Sequence, residues 1–184
     1  MLAPASSSPF SASTQRSGTP IRGRRGGGGW HHENVNSPST DPALVPELLV
    51  ANTPASLAFW CGLCGFQIAY ERPEEGFAYI TRGTAHLMLE QRGVGRNWIT
   101  GPLEPPLGRG INFQITVDAL DPILTALNDA GHPLYMAPEE KWYRISDSEE
   151  VGVRQFLVMD PDGYLIRFQT SLGHRVALAP GEPS

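Results

Sequence analysis

The chain has 184 residues, 40% of them hydrophobic and 18% charged, a balance that supports one packed domain with or without a tail. It contains no run of eighteen or more apolar residues, which excludes a membrane-spanning helix, and its two cysteines are too few for a disulfide scaffold. The net charge of −5 is uneven: Arg16, Arg22, Arg24 and Arg25 give residues 1–32 a charge of +4, leaving −9 on residues 33–184, an acidity that repels nucleic acid and draws cationic ligands.

Residues 1–42 read as a disordered tail, because 19 of them are Gly, Pro or Ser and no hydrophobic period survives. The arginine–glycine tract at 22–30 is one short instance and is not read as an RNA-binding element, and His31 and His32 are read as inert. No apolar segment follows the arginines, so no secretory signal is read and a cytoplasmic location is expected.

Order is expected from residue 43 to 175, with a further tail at 176–184. Residues 46–50 read as a strand, after which Asn52 or Thr53 can cap a helix whose first turn accepts Pro54. Leu57, Trp60, Cys61 and Cys64 then form an apolar stripe that Gly65 ends. Strand-like runs follow at 66–70, 77–81 and 85–90. After a Gly/Pro-rich connector (93–109) the order repeats: a strand at 111–117, an Asp121-Pro122 cap, a stripe of Leu120, Ile123, Leu124 and Leu127, Gly131, and strands at 134–136, 155–159 and 165–170. Val50 corresponds to Val117 at an offset of 67 residues and Gly65 to Gly131 at 66. The chain therefore reads as α+β, two β-α-β-β-β modules (45–92 and 110–172) forming a curved mixed sheet around a cleft.

Alternation along the strands assigns faces. Ile111, Phe113, Ile115 and Val117 should pack inward, while Asn112, Gln114 and Thr116 face the cleft, and the repeat offset maps these three onto Val45, Glu47 and Leu49. The last strands present His86, Met88 and Glu90 in one module and Leu165, Arg167 and Gln169 in the other. Trp98, Trp142 and Tyr143 are expected in cleft-edge loops, the latter two flanked by Glu139, Glu140, Asp147, Glu149 and Glu150.

Trp60-Cys61-Gly62-Leu63-Cys64 has the spacing of a redox dithiol. Such a pair needs the positive end of a helix, however, and here the cysteines fall at the C-terminal end of the predicted one. They are read as small buried hydrophobes, and no second pair is spaced to complete a zinc site.

The segments Ser56-Leu-Ala-Phe-Trp-Cys-Gly-Leu-Cys-Gly-Phe66 and Arg154-Gln-Phe-Leu-Val-Met-Asp-Pro-Asp-Gly-Tyr-Leu-Ile-Arg-Phe168, in this order and spacing within paired modules, resemble the vicinal oxygen chelate superfamily of glyoxalases, extradiol dioxygenases and bleomycin resistance proteins. The likeness spans roughly residues 45–172. Metal-dependent members carry ligands at positions that here resemble Val45, Met88, Asn112 and Arg167, and of these only Asn112 offers an oxygen. The resemblance thus implies the metal-free, bleomycin resistance-type branch. That branch acts as a homodimer which sequesters a cationic aromatic antibiotic or similar small molecule, with no cofactor and with no nucleic acid or membrane as partner. A binding protein is favoured over an enzyme. Glu47 and the acids near Trp142 would attract charge, Trp98, Trp142 and Tyr143 would stack on the ligand, and Asn112, Gln114 and Arg167 would line the cleft. The rival reading is a lyase or dioxygenase with a relocated metal at Glu47, His86 and Glu90, or a metal-free enzyme using His86 as base.

Overall fold

The computed structural model describes residues 42–177. The expected tail at 1–42, apart from its last residue, and residues 178–184 lie outside these, as do the arginine–glycine tract and His31 and His32. The described chain runs β1 (Glu47–Val50), α1 (Thr53–Leu57), a π-helical segment (Ala58–Leu63), β2 (Gln67–Arg72), β3 (Phe77–Arg82), β4 (Ala85–Gln91), β5 (Asn112–Thr116), α2 (Asp121–Asp129), β6 (Leu134–Arg144), β7 (Glu149–Met159) and β8 (Leu165–Val176). This is β-α-β-β-β twice. Each module makes its own four-stranded mixed sheet, β1-β4-β3-β2 and β5-β8-β7-β6, in which only the first strand runs parallel to its neighbour.

Local chemistry sets the helices. The Asn52 side chain accepts the Ala55 N–H at 2.8 Å and caps α1, whereas the Thr53 hydroxyl donates to the Gly76 carbonyl at 2.7 Å and ties the helix to the start of β3. The expected stripe of Leu57, Trp60, Cys61 and Cys64 is corrected. The Cys64 N–H bonds the Phe59 carbonyl five residues back, and this wider turn carries Ser56, Phe59, Trp60 and Cys64 inward while Leu57 and Cys61 stay only partly buried. In α2, Leu120 holds the cap position without a side-chain bond. Asp121, expected as the cap, sits in the first turn and pairs with Arg154 at 3.0 Å.

One hydrophobic core serves both modules. Leu48, Val50, Ile80 and Leu89 from the first sheet join Ile115, Phe156, Ile166 and Phe168 from the second, with Trp60, Ile123 and Leu127 from the helices. Every other residue of each strand therefore looks away from this core, so each module exposes an open face. The second sheet is also longer than its sequence suggests. β6 and β7 reach 11 residues and β8 reaches 12, so 137–151, expected as a loop apart from its charges, is mostly strand, and β8 continues past the expected boundary at 172.

Candidate functional site

Register builds the first open face. Glu47 lies beside Met88, Met88 beside Tyr79 and Tyr79 beside Tyr70, a row crossing all four strands. The adjacent row is Leu49, Glu90, Phe77 and Arg72. Strand spacing forces these side chains into contact: Tyr70 stacks on Tyr79 with centroids 5.0 Å apart and on Phe77 at 5.9 Å, and the Tyr79 hydroxyl meets His86 Nδ1 at 3.0 Å. The connector brings Trp98 over this face, 66% exposed. Together they enclose a cavity of about 580 Å³ with Glu47 and Glu90 at its base and Tyr70, Phe77 and Trp98 as walls. Two of those rings already hold cations. The Arg72 guanidinium lies 3.8 Å from the Phe77 centroid and that of Arg96 lies 4.3 Å from Trp98.

Glu90 is only 8% exposed and accepts the Asn97 amide at 3.1 Å. Gly95 lies against it, and a Cβ there would come within 2.8 Å of Glu90 Oε1. Glu47 is exposed as a residue, yet its carboxyl is pushed above the usual carboxylate value. Partial burial is the main cause, followed by a hydrogen bond to Glu90 and repulsion from its charge. The two carboxyl groups are thus close enough to share a hydrogen bond and to feel each other's charge.

The second open face has different chemistry. Thr116, Gln169, Gln155 and Glu139 form a row. Gln155 donates to Glu139 at 2.8 Å and to the Tyr143 hydroxyl at 2.9 Å, and the Arg167 guanidinium donates to Gln114 Oε1. A cavity of about 330 Å³ lies between Gln114, Tyr143, Val153 and Arg167. Of the predicted site residues, Glu47 and Trp98 meet on the first face, while Gln114, Tyr143 and Arg167 meet on the second. Asn112 heads β5 beside Leu165 and lines neither cavity. Trp142 and Tyr143 fall in β6 rather than in a loop, and as neighbours in a strand they point to opposite faces. The Trp142 ring lies where a side chain on Gly152 would begin, under the Arg175 guanidinium at 4.2 Å. Tyr70, Phe77 and Tyr79 were missed as site residues. Their alternate spacing in strand was the available signal, but only register shows that they stack.

The positions where a family metal would sit hold Val45, Met88, Asn112 and Arg167, and a valine, a thioether, an amide and a guanidinium do not fit a divalent ion. The relocated trio fails differently. His86 is engaged by Tyr79, and among the described residues no three His, Cys, Asp or Glu side chains converge to hold a metal. Cys61 and Cys64 are free thiols; burial pushes both up, Cys64 to about 12, so neither is a ready thiolate. Cys64 is expected to resist a thiol reagent at neutral pH until the protein is unfolded. Labelling before and after urea checks this, and fast labelling of native protein would refute the buried reading.

The profile described as Glyoxalase/Bleomycin resistance protein/Dioxygenase superfamily matches residues 43–168. The chain belongs to that superfamily. A superfamily member from Vibrio splendidus 12B01 is 37% identical, with 68% of this chain and 95% of that one covered and a TM-score of 0.32. TioX from Micromonospora sp. ML1 is 19% identical, covering 72% of this chain and 100% of that one at a TM-score of 0.56. A virulence protein from Salmonella typhimurium is 15% identical, covering 71% and 96% at 0.53. The last two likenesses show the superfamily fold alone. Among curated proteins, none matches the chain.

Proposed function

We propose that this chain is a binding protein of the bleomycin resistance type, which captures a cationic small molecule bearing a planar ring and does not transform it. The observation that carries this reading is the Glu47–Glu90 pair beneath the rings of Tyr70, Phe77 and Trp98. Carboxylates held this close repel one another, so a ligand cation is favoured electrostatically while its ring gains a stacking partner. A homodimer accompanies the proposal. Neither of these two cavities draws residues from both modules, and a second copy laying its Gln114–Arg167 face over the Glu47–Glu90 face would close a full cleft.

Calorimetric titration of the purified full chain with bleomycin tests the reading, together with sedimentation and metal analysis. Expected are saturable binding without turnover and a dimeric mass. Glu90→Gln is expected to weaken affinity roughly tenfold or more, the cost of removing one partner of a desolvated charge pair. Affinity should also fall in acid, because protonating Glu47 opposes the cation. Absence of binding would overturn the bleomycin reading, a monomer would overturn the dimer, and stoichiometric metal with chelator-sensitive activity would favour an enzyme.

A further inference from the structure

A third cavity, of about 620 Å³, lies at the outer edge of β5 against the β3–β4 turn, among Arg82, Thr84, Ala85, Thr116 and Asp118. The internal repeat shows what belongs there. Glu47 faces Met88 as Gln114 faces Arg167, so Leu49 matches Thr116, Ala51 matches Asp118 and Ala85 matches Tyr164.

On the outer edge of β1 these positions are filled by the chain itself. The Tyr164 hydroxyl donates to the Leu49 carbonyl at 3.2 Å, and the Asp162 carboxylate accepts the Ala51 N–H at 2.8 Å. On β5 the Val117 N–H turns toward Gln169 of β8, so the carbonyl of Thr116 and the N–H of Asp118 point the other way. Among the described residues neither has a hydrogen-bond partner. The turn on that side is only Gly83-Thr84, between the paired Arg82 and Ala85, against residues 160–164 in the other module. Alanine stands in the place of tyrosine, and no residue stands in the place of Asp162.

We propose that this cavity binds a small hydroxyaryl carboxylate. Its ring takes the space that Tyr164 fills in the other module. Its hydroxyl donates to the Thr116 carbonyl, and its carboxylate accepts from the Asp118 N–H beside Arg82. One N–H of Arg82 is already spent on the Cys64 carbonyl, and the exposed carboxylate of Asp118 favours a pose that keeps the ligand's charge on the guanidinium side.

The test is an amide chemical-shift titration of the full chain with para-hydroxyphenylacetate. Saturable shifts are expected at Thr84, Thr116 and Asp118. Phenylacetate, which lacks the hydroxyl, should bind about fivefold more weakly for want of one hydrogen bond. Ala85→Tyr fills the space from within and should abolish the shifts; if that variant does not fold, the comparison of the two acids on the unaltered chain decides. Equal affinity for both acids, or shifts confined to the face around Glu90 and Trp98, would overturn the proposal. Such a failure leaves the cation reading intact, since that reading uses other residues.

Discussion

Replacing Trp60 by alanine is expected to lower the unfolding free energy by about 3–5 kcal/mol, as for other fully buried aromatic residues. Trp60 is 0% exposed and meets Phe59 and Phe66 edge-on, with centroids 5.5 Å and 5.2 Å away and interplanar angles of 89° and 83°. These edge-to-face contacts add to its area burial. The ring also sits in the π-helical segment, whose geometry brings Phe59, Trp60 and Cys64 inward together, so neighbouring side chains cannot readily close the gap. Typical domains have roughly 5–15 kcal/mol in total, so the variant should unfold at markedly lower urea concentration. A loss below about 1 kcal/mol, the average cost of a point substitution, would mean that this part of the core is not the packed unit described.

The second large effect depends on pH. Asp160 is 4% exposed, and burial pushes its carboxyl from 3.8 up to about 6, even though the Tyr164 and Asp162 N–H groups favour the ionised form. Those N–H groups reach Asp160 Oδ1 at 2.9 Å and 3.0 Å and close the Asp-Pro-Asp-Gly turn. The folded chain holds this proton more tightly than the unfolded chain does. The associated stability is therefore fully present below pH 4, declines as pH rises toward 6, and is gone above that. The span corresponds to about 3 kcal/mol. Urea unfolding at pH 4 and pH 7 should show this loss in the wild-type chain and not in Asp160→Asn, whose amide keeps the acceptor but cannot ionise. An identical difference between the two pH values in both proteins would exclude Asp160 as its source.

Much of the fold was legible because each module repeats strong local signals. Asn52 before Pro54, the apolar period of α2, and Gly65 and Gly131 after their helices mark the modules without reference to tertiary contacts. The failures have physical causes. A π turn adds a residue to one helical turn, so the 3.6-residue period chose Leu57 and Cys61 where Phe59 is buried. The strand residues at 139–144 and 149–151 are rich in Glu, Lys and Arg and more than half of them are exposed, so no apolar alternation marks them. Glu47, Gln114 and Arg167 were readable as open-face residues because parity alone decides that. The Tyr70–Tyr79 stack and the Glu47–Glu90 contact were not, because each depends on which residue of one strand lies beside which of the next.

The two open faces have unlike chemistry: Glu47 and Glu90 beneath Tyr70, Phe77 and Trp98 on one, and Gln114, Gln155, Glu139, Tyr143 and the Arg167 guanidinium on the other. If a second copy closes the cleft as proposed, a guest bridging the two faces would meet the Glu47–Glu90 pair at one end and the Arg167 guanidinium at the other. Two identical halves would offer such a guest the same lining at both ends.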